Sequence, residues 1–102
     1  MLDSLHHEDY APYLNTKFQA WADDATPIEL ELIGAEDKSP TPRQEQFVLT
    51  FLAPVTAPAA QQIFRIHHEQ LGEGSIFLVP IARDASGVTY EAVFNRVRPV
   101  EP

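Results

Sequence analysis

The chain has 102 residues, 44% of them hydrophobic, with 15 acidic against 7 basic side chains and a formal net charge of −8. That length suffices for one small domain with a single core, and that charge argues against a broad nucleic-acid or anionic-membrane surface, because phosphates are repelled. No cysteine is present, which removes a disulfide framework, a thiolate metal site and a cysteine nucleophile.

The first residues, MLDSLHHEDY, are acidic and polar, without the basic-then-apolar pattern of an export signal, and a cytoplasmic address is the expectation. Residues 1–14 read as a short helix. Asp3 or Ser4 can cap it, Glu8 and Asp9 sit early, where the helix dipole favours negative charge, and Pro12 ends it. Helical spacing puts Leu2, Leu5 and Asp9 near one face and His7, Tyr10 and Leu14 near the other. A helix this short needs a surface to dock on.

From residue 16 the period becomes alternating. TKFQAWA puts Phe18 and Ala20 on one side, with Lys17, Gln19 and Trp21 on the other; Asp23-Asp24-Ala25-Thr26-Pro27 is a tight turn. PIELELIG sets Ile28, Leu30 and Leu32 against Glu29 and Glu31, and EDKSPTPRQ is a solvated loop. EQFVLTFLA places Phe47, Leu49 and Phe51 on one face, Val48 and Leu52 on the opposite one. APVTAPAA, residues 53–60, is rich in proline and is expected to lie over the end of a barrel or sandwich. QIFRIHH sets Phe64 and Ile66 against Ile63 and Arg65. Residues 70–74 and 84–87 read as hairpin loops in which glycine supplies positive φ. Between them GSIFLVPIA, strand-sized and far short of the roughly 20 residues that span a bilayer, is apolar on both faces. It reads as a central strand covered on both sides, with Pro80 marking a bulge or an edge-facing position. Finally GVTYEAVFN turns Val88, Tyr90, Ala92 and Phe94 inward and Val93 outward.

No connection is long enough for a crossover helix, so the sheet is expected to be antiparallel. The fold expected is mainly β, bordering on α+β: about six strands in an antiparallel meander, curled into a sheet or small barrel, with a short N-terminal helix over one open face or end. A single domain spans 1–102, made of a helical segment (1–14), a β core (16–95) and a tail (96–102). Arg96 and Arg98 in that tail read as a solvated chain end.

All four histidines lie in two His-His-Glu stretches, His6-His7-Glu8 and His67-His68-Glu69. Histidine and carboxylate are metal-ligand types, so a site combining His7, His68, Glu8 and Asp9 is the metal hypothesis. The spacing speaks against it. Neighbours on a strand point to opposite faces, and neighbours on a helix diverge by about 100°. One hydrogen-bonded histidine and one surface histidine per stretch is the expectation, with no metal or other cofactor. Ser4, Ser39, Ser75 and Ser86 lack a nucleophile-elbow context, Glu29 and Glu31 face water, and four glycines form no phosphate loop. Catalysis is therefore not expected. By parity Trp21, Val48, Leu52 and Val93 face outward, which makes them the interaction candidates.

The stretches LDSLHHEDYAPYL, PIELELIGAE, RIHHEQLGEGSIFLVPI and GVTYEAVFN together resemble a small bacterial family catalogued as domain of unknown function 6916. The resemblance covers nearly the whole chain. His7, Glu8 and Asp9 match its His-Glu-Asp-aromatic opening, and His68, Leu71 and Gly72 its histidine-containing turn; His6 and His67 fall where its pattern is looser. These motifs are structural signatures rather than catalytic ones. The resemblance implies a small accessory protein kept near phage-tail-collar-like genes. The function expected is accordingly a non-catalytic assembly or protein-interaction module of a phage-tail-like or fibre system, with a protein partner or self-association and neither nucleic acid nor membrane. Two alternatives stay open: a small-molecule-binding barrel with Phe47, Phe64, Tyr90 and Phe94 lining a cavity, and a metal-dependent enzyme built on the histidine stretches.

Overall fold

The computed structural model describes residues 2–22 and 26–97; Asp23, Asp24 and Ala25, where a tight turn is expected, and the residues from Arg98 onward lie outside them. Six strands, β1 (Lys17–Trp21), β2 (Ile28–Asp37), β3 (Gln44–Ala53), β4 (Gln62–His68), β5 (Gly72–Asp84) and β6 (Gly87–Val97), close one antiparallel sheet into a ring. The mainly-β, six-stranded, antiparallel expectation holds, and the closure is a barrel. Around the ring the order is β1-β2-β3-β6-β5-β4. The meander therefore runs unbroken within β1-β2-β3 and within β4-β5-β6, and is interrupted once. β3 pairs with β6 along its whole length, from Gln44–Val97 to Ala53–Val88, while β4 lies across the ring. The connection from Pro54 to Gln61 is too long for a tight hairpin, and it crosses the barrel mouth instead.

Alternation explains which side chains fill the ring. Phe18, Leu30, Leu32, Phe47, Leu49, Phe51, Phe64, Ile66, Leu78 and Tyr90 are almost wholly buried. Each such burial contributes roughly 1.5–3 kcal/mol. The rings pack on one another: Phe47 stacks on Phe94 at 4.5 Å, Phe18 meets Phe51 edge-on at 5.4 Å, and Phe64 meets Tyr90 edge-on at 5.6 Å.

The crossing loop seals one end, as its composition suggested. Ala57 is buried; its N–H donates to the Pro54 carbonyl (2.9 Å), and its own carbonyl accepts from Arg83 Nη2 (2.7 Å). The Tyr90 hydroxyl donates to the Pro58 carbonyl. At the opposite end the barrel opens. β2 pairs with β1 only up to Glu31, and β6 with β5 only up to Glu91, so the remainders of β2 and β6 have β3 alone as a strand partner. The N-terminal segment fills that end.

This segment is not the single helix expected. It is a 3₁₀ turn (Leu2–Ser4), a short α-helix α1 (His7–Tyr10) and a second 3₁₀ turn (Ala11–Tyr13). Neither Asp3 nor Ser4 caps α1. His6 begins it, with the Asp9 carboxylate accepting the His6 N–H at 2.9 Å. The break before His6 changes the helical phase. Leu2 and Tyr10, on opposite faces of a continuous helix, are both 0% exposed, and the Tyr10 hydroxyl donates to the Leu2 carbonyl.

A second correction concerns β5. Its inner residues Ile76 and Leu78 are buried, but Phe77 and Ile81 on the other side are 50% and 53% exposed. The N-terminal segment covers an end and not the wall, so apolar character on both faces did not mean cover on both. The bulge expected at Pro80 is present as a register shift between Pro80 and Ala82.

Gly72 and Gly87 take the positive φ expected in the two hairpins, 88° and 136°. A β-carbon on Gly87 would also run into the carbonyl oxygen of Ala53 on the neighbouring strand. Gly87→Ala is therefore expected to lower stability by roughly 2 kcal/mol or more, read as a fall in the urea unfolding midpoint with an unchanged slope.

Candidate functional site

The open end collects the polar groups that the sequence singled out, together with one that it did not. Glu45 continues the inward parity of Phe47, Leu49 and Phe51, and it is only 1% exposed. A carboxylate taken out of water needs donors. His6 supplies one from Nδ1 at 2.6 Å to Oε1, and the backbone N–H of His7 another at 3.2 Å to Oε2. Sequence reasoning missed Glu45, although its parity with three buried residues was the available signal.

His7 opens α1. Its Nε2 donates to the Ala35 carbonyl at 3.0 Å, and its ring meets Phe47 edge-on at 6.1 Å. Arg96 ties down the same segment, donating to the carbonyls of Ser4 (2.9 Å) and Leu5 (2.6 Å) while lying over Phe94 (5.2 Å) and Phe47 (5.6 Å). It is thus a clamp and not the solvated chain end expected. Gly74 on β5 leaves room for the first turn: a β-carbon there would stand 2.6 Å from Asp3 Oδ1 and 2.7 Å from its backbone nitrogen. Burial pushes the Tyr10 phenol far above its ordinary range.

His68, at the end of β4, is 2% exposed. Its Nδ1 accepts the N–H groups of Gln70 (3.1 Å) and Leu71 (3.3 Å), which turns the chain into β5. Nδ1 therefore carries no proton, and Nε2–H donates to Thr16 Oγ1 at 2.9 Å. The Thr16 hydroxyl in turn donates to the Tyr13 carbonyl at 2.6 Å. The ring packs on Phe18 (4.4 Å) and Tyr13 (5.0 Å). Burial holds this histidine below its ordinary pKa, with Glu69 raising it and His67 lowering it to lesser extents. All of this requires the neutral imidazole.

The two His-His-Glu stretches thus meet the same end of the barrel through different partners. His67 and His68 take opposite faces of β4, one inward and one outward, as parity required. In the first stretch both histidines are hydrogen-bonded, not one. Glu8 is exposed, and Asp9 is occupied at the start of α1. Among the described residues, no three His, Cys, Asp or Glu side chains are grouped to hold a metal ion. Phe47, Phe64, Tyr90 and Phe94, named for a cavity, pack on one another; a cleft of about 360 Å³ lies outside the ring, between Ile28, Glu29 and the Pro54–Pro58 loop.

The outward candidates lie on the barrel wall. Val48 and Val93 face each other across β3 and β6; Val93 is 59% exposed and Val48 half-buried. Leu52 is half-buried opposite Thr89. Trp21 is half-buried, with the Arg65 guanidinium 4.7 Å over its ring. The larger contribution comes from a pair not named in advance: Ile63, 65% exposed, faces Phe77 across β4 and β5. The apolar outer face of β5 was the signal for it.

Fold and site define a small antiparallel barrel, capped at both ends, whose distinctive polar residues hold its own N-terminal segment in place. The chain belongs to the family described as domain of unknown function (DUF6916), whose model matches residues 5–94. No curated protein and no solved structure matches it. Among the described residues no helix is long and apolar enough to cross a membrane.

The neutral His68 has a pH signature. Its pKa is lowered on folding, so below the unfolded value of about 6.5 the unfolded chain takes up a proton that the folded chain resists. The contribution is full above about pH 6.5 and is lost as the pH falls below it. Urea unfolding across this range is expected to show wild type losing stability more steeply than His68→Gln, by up to about 1.4 kcal/mol per pH unit.

Proposed function

We propose that this protein is a non-catalytic assembly or protein-interaction module that binds through the outer wall of β4, β5, β6 and β3. The observation that carries the reading is the apolar row on this wall: Ile63 paired with Phe77, and Val93 paired with Val48. Three of these four side chains are at least half exposed. Large apolar side chains held in a row toward water on a small domain favour a partner contact. Closing the ring removes most free sheet edge, so the contact is made by side chains and not by strand addition. The polar groups able to do chemistry are engaged elsewhere: Glu45, His6, His7 and His68 secure the barrel end. The setting we propose is an accessory role in a bacterial phage-tail-like or fibre assembly, inside the cytoplasm, in keeping with the resemblance of the sequence motifs.

A photo-crosslinking residue replacing Phe77 tests this in cells that naturally carry the gene. A discrete protein adduct is expected from position 77 and from position 93, but not from Glu29 on the acidic side. Equal labelling at all three positions, or none at 77 and 93, would sink the reading.

A further inference from the structure

We infer that the partner on this wall is a second copy of the same chain, seated wall to wall about a two-fold axis; the inference rests on the reading of the wall given above. The charge map carries it. The chain has a net charge of −8, yet much of its acidic charge is placed off the wall. Glu29 and Glu31 lie on β2 beside Lys17, Glu69 and Glu73 lie at the β4–β5 turn, and Asp84 lies at the β5–β6 turn. A basic partner would be drawn to those surfaces. Along the row from Ile63 through Phe77, Val79 and Val93 to Val48, the charged neighbours are Glu91, opposite Val79; Arg65, two residues beyond Ile63 on the same face; and Glu36, opposite Val48, with Lys38 Nζ 3.7 Å from its carboxylate. Two acids and two bases leave the wall formally neutral.

For two molecules that repel each other at −8, an approach through a formally neutral wall brings few like charges together. The wall is also self-complementary, as a two-fold contact requires. Val79–Glu91 is the last β5–β6 pair, and Phe77 and Val93 lie two residues beyond it, one on each strand. An axis through this centre lays the β4 side of one wall, bearing Arg65, over the β6 side of the other, bearing Glu91. The apolar residues then meet face to face as in packed sheets.

This contact has a salt dependence opposite to that of a charge-held complex. Salt screens the repulsion between the two acidic molecules and leaves the apolar contact intact. Sedimentation equilibrium is expected to show a dimer that tightens between about 50 mM and about 500 mM sodium chloride. Phe77→Ser with Val93→Ser removes two side chains that are already exposed and so spares the fold. It is expected to weaken dimerisation by about ten-fold or more, since each loss counts twice across the axis. Because the chain has no cysteine, a single Val93→Cys gives a clean second readout. A short bis-maleimide should join two Val93→Cys chains and leave Glu29→Cys chains monomeric.

A wild-type chain that stays monomeric at both salt concentrations would overturn the inference, as would cross-linking at position 29 equal to that at 93. If the chain is monomeric while position 77 captures a different protein in cells, self-association falls and the interaction-module reading stands. If neither is seen, both fall.

Discussion

A single carboxylate buried on the inner face of β3 determines how the open end of this barrel is closed. Every other inward position of that strand from Phe47 to Ala53 is apolar. Glu45, one step beyond them, is as deeply buried as they are. An ionised carboxylate without donors is among the most unfavourable groups a small protein can bury. The N-terminal segment resolves this by bringing the His6 ring and the His7 N–H to its two oxygens. Once α1 starts at this point, Tyr10 falls on Phe47 and Phe94, and Leu2 reaches the core. Arg96 then meets the freed carbonyls of Ser4 and Leu5. The polar contact fixes position, while the apolar side chains around it supply most of the stabilisation.

Much of this architecture was legible in the sequence, for a definite reason. Alternation reports which face a residue takes, and it located all six strands and the inward sets, from Phe18 to Phe94. It says nothing about which strands are neighbours, so the pairing of β3 with β6 was not legible. Helical spacing assumes an unbroken helix, and the break before His6 defeats it. Arg96 gave no local signal because the carbonyls it binds are 91 and 92 residues away in the chain. Glu45 was legible by parity, but a charged residue is ordinarily assigned to solvent, and that habit hid it.

The histidine stretches gain a physical meaning from the same contacts. The residues matching the family pattern are those that shape the open end. His7 binds the Ala35 carbonyl, Asp9 starts α1, His68 caps the turn into β5, and Gly72 supplies its positive φ. A tautomer fixed by two N–H donors at Nδ1 and an acceptor at Nε2 leaves His68 no lone pair to offer. With the polar end given over to structure, the surface that stands out is the apolar wall, and the proposals for function follow from this division of labour between end and wall.

The most direct measurement of the central claim is amide hydrogen exchange on Glu45→Met, which keeps length and bulk and removes both acceptor oxygens. Loss of this acceptor leaves the His6 ring and the His7 N–H without their partner and is expected to lower stability by roughly 1–3 kcal/mol. Exchange should accelerate from Leu2 to Thr16 while the β3–β6 ladder stays protected. Unchanged protection of the His7 and Tyr10 amides in this variant would contradict the account.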